Sequence, residues 1–286
     1  MRSISTLAGP RRKLDGGILF GHTPRLKWSQ WMKPDLDNQV DIASRALLVQ
    51  QPGMNILVLS GADALLAPPP RTCRCQPRVM GLLDNLAQHG LCEDDIDAVV
   101  LTHLHAPLSE ELLERVREGE MPRLLFPKAR YLTGERHWAR ARNPHPRDRD
   151  LFLSPLMHRL EKSGRLVLIN RSACELLGEG WHFDFSDGFT PGQLLPEIQL
   201  QGGPVVFVGN LIPGTHWLSL TINSAYDRNP ECVIGDKERL LDHLVEKAGR
   251  LVFSLDPDVA MVKVMRDRQS RYIPYDLYTS LSRFDT

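Results

Sequence analysis

The chain has 286 residues, 42% hydrophobic and 24% charged, and is long enough to bury a substantial core as one domain over 1–286. Its 35 basic residues balance 35 acidic ones, which argues against a global attraction to nucleic acid or to a membrane surface. No apolar run approaches the ~20 residues that span a bilayer, and the first residues lack the apolar core of a signal peptide. The five cysteines (Cys73, Cys75, Cys92, Cys174, Cys232) are scattered, so the expectation is a cytoplasmic protein without a disulfide framework.

In chain order, "RALLVQ" (45–50) and "NILVLS" (55–60) flank a Pro-Gly turn and read as a hairpin. The proline-rich stretch 67–77 reads as a surface loop, and its Cys73–Cys75 pair, lacking a second pair at zinc-site spacing, as two loop thiols. "VMGLLDNLAQHG" has helical periodicity and a glycine stop, "IDAVVLT" is a short buried strand, and "SEELLERVREG" is a helix with Ser109 as N-cap. "RYLTG" predicts a strand, 149–164 a helical stretch containing Pro155, and "RLVLIN", "WHFDFS" and "VVFVG" further strands. An amphipathic helix over 236–249 and a strand over 250–255 follow, and a final helix over 256–268 is expected from its Asp-Pro start. Strands interleaved with helices in both halves, without a solenoid repeat, predict a layered α/β architecture. Between Arg115 and Arg149 ten basic residues face four acidic ones; such a patch can hold phosphates, but in a chain of zero net charge it reads as a solvated helix and loop.

The stretch "VVLTHLHAPLSEELLE" (99–114) carries the chemistry. His103 and His105, spaced i and i+2 just after an apolar strand, can turn both rings to one ion, and zinc or iron accepts neutral imidazole. This is half a site, because a catalytic zinc usually takes three protein ligands and keeps one position for water.

With "DGGILFG", "NILVLSG", "LCEDDIDAVVLTHLH", "DGFTPGQ", "VVFVGNLIPGTHW", "AYDRNPE" and "LVFSLDPDVA" in order, nearly the whole chain resembles the metallo-β-lactamase superfamily. The likeness is greatest to its lactonases and organophosphate hydrolases, such as methyl parathion hydrolase. It implies an αββα sandwich of two mixed β-sheets flanked by helices, with the site at one edge where loops from both halves meet. It also implies where metal ligands belong. The family's His-x-His-x-Asp-His motif falls on His103, His105, Pro107 and Leu108, and the histidine before Thr-Pro-Gly on Phe189. The bridging aspartate falls on Asn210, the histidine of the final His-Asp-Pro on Leu255, the supporting aspartate of Asp-Thr-Gly on Leu59, and the histidine that often follows the Thr-Pro-Gly turn on Gln193.

Five of the seven ligand positions thus depart from the family, and Pro107, Leu108, Phe189 and Leu255 offer no donor. The resemblance therefore implies a degenerate centre with no catalytic residue, in which His103 and His105 are vestigial. The former-site pocket is Leu59, Pro107, Leu108, Phe189, Asn210, His216 and Leu255, too apolar to stabilise an oxyanion. The first expectation is a non-catalytic pseudo-enzyme, with no cofactor, that binds a small molecule or a protein partner. The alternative is a lactone or ester hydrolase with one zinc, manganese or iron on His103 and His105 and a third ligand from Asp63, Asp187, Cys73, Cys75 or His216. A third reading, nucleic-acid binding through 115–149, is disfavoured. The segment "WSQWMKPDLDNQ" lies where such proteins often carry lid or dimer contacts; Trp28 and Trp31 can anchor a homodimer, although packing on the chain's own core is the commoner fate.

Overall fold

A computed structural model describes residues 2–61, 81–106 and 124–285. The chain begins with β1 (Ser3–Ala8), β2 (Arg12–Asp15), α1 (Gly16–Phe20), α2 (Arg25–Trp28), β3 (Gln39–Ile42), β4 (Arg45–Gln51) and β5 (Met54–Leu59). It continues through α3 (Leu82–Gln88), β6 (Ala98–Leu101), β7 (Arg130–Gly134), α4 (Glu135–Arg142), α5 (Ser154–Lys162), β8 (Leu166–Ile169) and β9 (Trp181–Ser186). The last elements are β10 (Gln193–Leu200), β11 (Gly203–Phe207), α6 (Pro230–Glu246), β12 (Arg250–Val252), β13 (Met261–Arg266) and β14 (Tyr272–Tyr278).

Two six-stranded mixed sheets form, in the orders β1-β4-β5-β6-β7-β8 and β14-β13-β12-β11-β10-β9, while β2 and β3 make a separate small ribbon. Strands whose two faces are both covered read as unbroken apolar runs, and here the alternation divides each run between two cores. Leu47, Val49, Ile56, Val58, Ala98 and Val100 point inward against Val205, Phe207, Val252 and Met261 of the second sheet. Their neighbours Leu48, Leu57, Leu59, Val99 and Leu101 point outward onto Leu86, Trp138 and Leu156 of α3, α4 and α5. The second sheet's outer face, with Val206, Leu251 and Val262, is covered by Leu240, Leu241 and Leu244 of α6 and by Phe20 and Trp28 near the start. This is the expected αββα sandwich.

The expected hairpin is β4–β5, antiparallel with Leu48 opposite Leu57. Pro155 stands in the first turn of α5, where its missing N–H costs nothing, so the helix begins at Ser154 rather than near 149. Likewise α6 starts earlier than expected, at Pro230, because Asn229 accepts from the Cys232 N–H as its cap. The expectation of a final helix over 256–268 is wrong. Asp256 Oδ1 accepts from the N–H groups of Asp258 and Val259, which closes a turn instead of capping a helix. The alternating "MVKVMR" then pairs with β12, Val262 opposite Leu251. The expected helix beginning at Ser109 and the proline-rich loop lie outside the described residues. Trp28 is buried against Phe20 with rings stacked at 5.4 Å, so it packs on the chain's own core.

The two halves are tied by buried polar contacts as well as by the core. Arg45, at the start of β4, donates to the carbonyls of Phe253 (2.8 Å) and Asp256 (3.0 Å) beyond β12. Arg45→Ala strands those buried acceptors, and a loss of about 2–4 kcal/mol is expected in equilibrium urea unfolding; a loss below about 0.5 kcal/mol, the range of neutral surface changes, contradicts this role.

Candidate functional site

His103 and His105 follow β6 directly, at the edge where the ends of β5 and β6 meet loops from the second sheet, and both are buried. Their rings stand edge to face at 5.1 Å. The Nδ1 of His103 shares a hydrogen bond with Thr102 Oγ1 at 2.9 Å, and the Nε2 of His105 has no partner among the described residues.

A third histidine joins them that sequence reasoning passed over. His137 lies in the first turn of α4, fully buried, with its ring 5.8 Å from that of His105 and 6.4 Å from that of His103. Its place is set by a close backbone approach: a side chain on Gly134 would meet the Gly192 carbonyl oxygen at 2.3 Å. The Leu104 N–H donates to His137 Nε2 at 2.8 Å, so that nitrogen's lone pair is used and the proton sits on Nδ1. Nδ1 in turn donates to the Pro191 carbonyl at 3.1 Å. His137 therefore joins the His103–His105 loop to the turn after β9, and has no lone pair left for an ion. With Trp138 and Ala141 it forms the buried face of α4 inside the basic segment. The described part of that segment, 124–149, holds β7 and α4 with loops on either side, and it is not simply solvated: Arg140 makes a bidentate pair with buried Asp148 at 2.7–3.0 Å, and Arg136 pairs with Asp187 at 2.9 Å.

Two benzene rings complete the cluster. Phe189 lies 5.1 Å from the ring of His103 and 5.4 Å from that of His105. Phe152 lies 4.8 Å from His105 and 5.7 Å from His137. Burial in this apolar box holds all three imidazoles neutral: His103 is pushed down to about 3 and His137 to about 4, in both by desolvation first, and His105 well below its ordinary value.

The other expected positions do not supply donors. Leu59 is buried in the core beneath the helices, and Leu255 packs, half-buried, against the core under α6. Asn210 Oδ1 accepts from Ser60 Oγ at 2.9 Å. His216 stacks on Trp31 at 5.7 Å, away from the cluster, and Asp187 is held by Arg136 and by the Gly192 N–H at 2.8 Å. Asp256 is saturated, its Oδ2 accepting from the N–H and hydroxyl of Thr215. Pro107, Leu108, Asp63, Cys73 and Cys75 lie outside the described residues. Among the described residues no group of three or more His, Cys, Asp or Glu is placed to hold a metal ion. The dinuclear donor set that the family resemblance implies is thus not met by the residues in these positions.

Polar atoms without partners among the described residues gather here nonetheless. Besides His105 Nε2 they include Thr190 Oγ1 and both amide atoms of fully buried Gln193. A side chain on Gly209 would sit 2.9 Å from both Gln193 Nε2 and Thr102 Oγ1, so this amide lies against the Thr102–His103 end of the cluster. Four such atoms in one region are unusual, because buried polar groups normally find partners.

The architecture falls on a known plan. A probable metal-dependent hydrolase from Staphylococcus aureus matches at 23% identity and a TM-score of 0.76, over 96% of this chain and 97% of that one. The hydrolase AbOPH of the β-lactamase superfamily matches at 16% identity and 0.73, over 97% and 94%. AidC, a dizinc quorum-quenching lactonase, matches at 16% and 0.68, over 96% and 94%. No protein-family model matches the sequence, and no curated protein matches it. The chain has the fold of the metal-dependent hydrolases of the β-lactamase superfamily.

The neutral histidines set a pH dependence. Their folded values lie below the ordinary 6.5, so the unfolded chain binds more protons and stability, complete above pH 6.5, falls as pH drops toward 4. From pH 7.5 to 5.5 each of His103 and His137 is expected to remove ~1.4 kcal/mol. Urea unfolding at the two pH values checks this: His103→Phe should reduce the drop by ~1.4 kcal/mol, and an unchanged drop contradicts it.

Proposed function

We propose that this chain is a non-catalytic protein on a hydrolase fold, recognising a small molecule or a protein partner instead of turning over a substrate. The observation that carries the reading is Phe189, whose ring packs against both His103 and His105 where the family resemblance implies a metal-binding histidine. The commitment of both His137 nitrogens to backbone groups supports it, as does the absence of donors at Leu59 and Leu255. A metal-activated hydroxide needs a cation held firmly beside the substrate, and two neutral imidazoles hold one weakly. What replaces the metal is an apolar box with a few orphan hydrogen-bonding atoms, the usual make-up of a ligand-recognition surface.

The second reading, a lactone or ester hydrolase with a single zinc, manganese or iron, draws on the 5.1 Å separation of the His103 and His105 rings and on the unpartnered His105 Nε2. Elemental analysis separates the two. Protein purified without chelator and then offered zinc, manganese and iron should hold well below one equivalent of metal. A stoichiometric metal that is lost in the His103→Ala/His105→Ala double variant overturns the non-catalytic reading.

A further inference from the structure

A second region of interest shares no residue with the histidine cluster. The C-terminal segment after β14 is strapped beside β1: the Leu281 N–H donates to Thr6 Oγ1 at 2.8 Å and the Arg283 N–H to Ser5 Oγ at 2.9 Å. The last turn of α3 ends beside this strap at His89, with Gly90 left-handed at φ 74°. Between them is an open cavity of about 680 Å³, lined by Thr6, His89, Gly90, Ser282 and Arg283, among others.

Neither the Arg283 guanidinium nor the His89 imidazole makes an ion pair or a side-chain hydrogen bond with any described residue. Whereas Arg2, Arg45 and Arg165 donate to carbonyls and Arg140 to a carboxylate, the Arg283 guanidinium lines this cavity with its donors uncommitted among the described residues. Arg283 is also held left-handed at φ 47°, a conformation that costs a non-glycine residue energy and here fixes where its side chain starts. The two basic groups are close enough that Arg283 helps to push the His89 imidazole below its ordinary pKa, after burial. An oxyanion there offsets the Arg283 charge and accepts from guanidinium, imidazole and the Ser282 hydroxyl together.

We propose that this cavity binds a phosphoryl group, with Arg283 as the bidentate donor and His89 and Ser282 as its second and third contacts. Guanidinium is suited to phosphate by its planar fork of donors. The volume lies in the range of small-molecule pockets and far exceeds a bare phosphate, which favours a phosphate monoester with a polar body, such as a phosphorylated sugar.

Titration of the full chain with inorganic phosphate, ribose 5-phosphate and acetate, followed by calorimetry and by amide chemical shifts, tests the site independently of whether the chain is a catalyst. Saturable binding of ribose 5-phosphate, with shifts at His89–Gly90 and Ser282–Arg283 and none with acetate, is expected. Tighter binding of ribose 5-phosphate than of phosphate assigns the site to a monoester; equal binding assigns it to free phosphate. Arg283→Gln should weaken both about tenfold or more, and His89→Gln by a smaller factor, with the unfolding midpoint unchanged because both side chains are idle in the fold. Absence of binding to the wild type, equal binding to Arg283→Gln, or equal binding of acetate overturns the proposal.

Discussion

The site is organised by one hydrogen-bonded bridge, the Leu104 N–H to His137 Nε2 and the His137 Nδ1–H to the Pro191 carbonyl. It joins the loop after β6, the first turn of α4 and the turn between β9 and β10, so elements of both sheets meet at one imidazole. Every other feature of the cluster depends on that closure. It brings the 189–192 turn close enough for Phe189 to lie on His103 and His105, it fixes the tautomer of His137, and it excludes the water that would let any of these rings carry a proton. A backbone N–H that caps a buried imidazole also removes a ligand. The same bond that stabilises the loop therefore opposes a metal centre.

Much of this could be read from sequence because the fold leaves periodic traces. Doubly covered strands such as "NILVLS" and "IDAVVLT" are unbroken apolar runs, and the histidines after β6 stand out because two of them follow such a run at ligand spacing. Phe189, Asn210 and Leu255 were legible as departures because the motifs around them keep their order. His137 was not legible as part of the site. Its partners are the backbone of Leu104 and Pro191, and main-chain groups leave no side-chain signature. The misread helix over 256–268 has a related cause: an aspartate accepting from N–H groups two and three residues on looks the same in sequence whether it opens a helix or closes a turn, and only pairing with β12 decided between them.

Charge is handled alike across the former site. Each carboxylate near it, Asp187, Asp148 and Asp256, is tied to arginine, backbone N–H or hydroxyl partners, and each imidazole is kept neutral by burial. The orphan atoms of Gln193, Thr190 and His105 are the exception and give the region its remaining capacity for hydrogen bonding to something not made of this chain. The cavity beside Arg283 shows the opposite arrangement, with an arginine and a histidine that lack an acidic partner among the described residues.

The central claim, that the imidazoles belong to a closed cluster and not to a metal centre, is tested most directly by long-range nitrogen NMR of the histidine rings with and without zinc. The account predicts a neutral His137 with its proton on Nδ1, and ring signals of His103 and His105 that stay in place when one equivalent of zinc is added. A His137 protonated on Nε2, or a zinc-dependent shift of the His103 and His105 ring nitrogens at one equivalent, contradicts it.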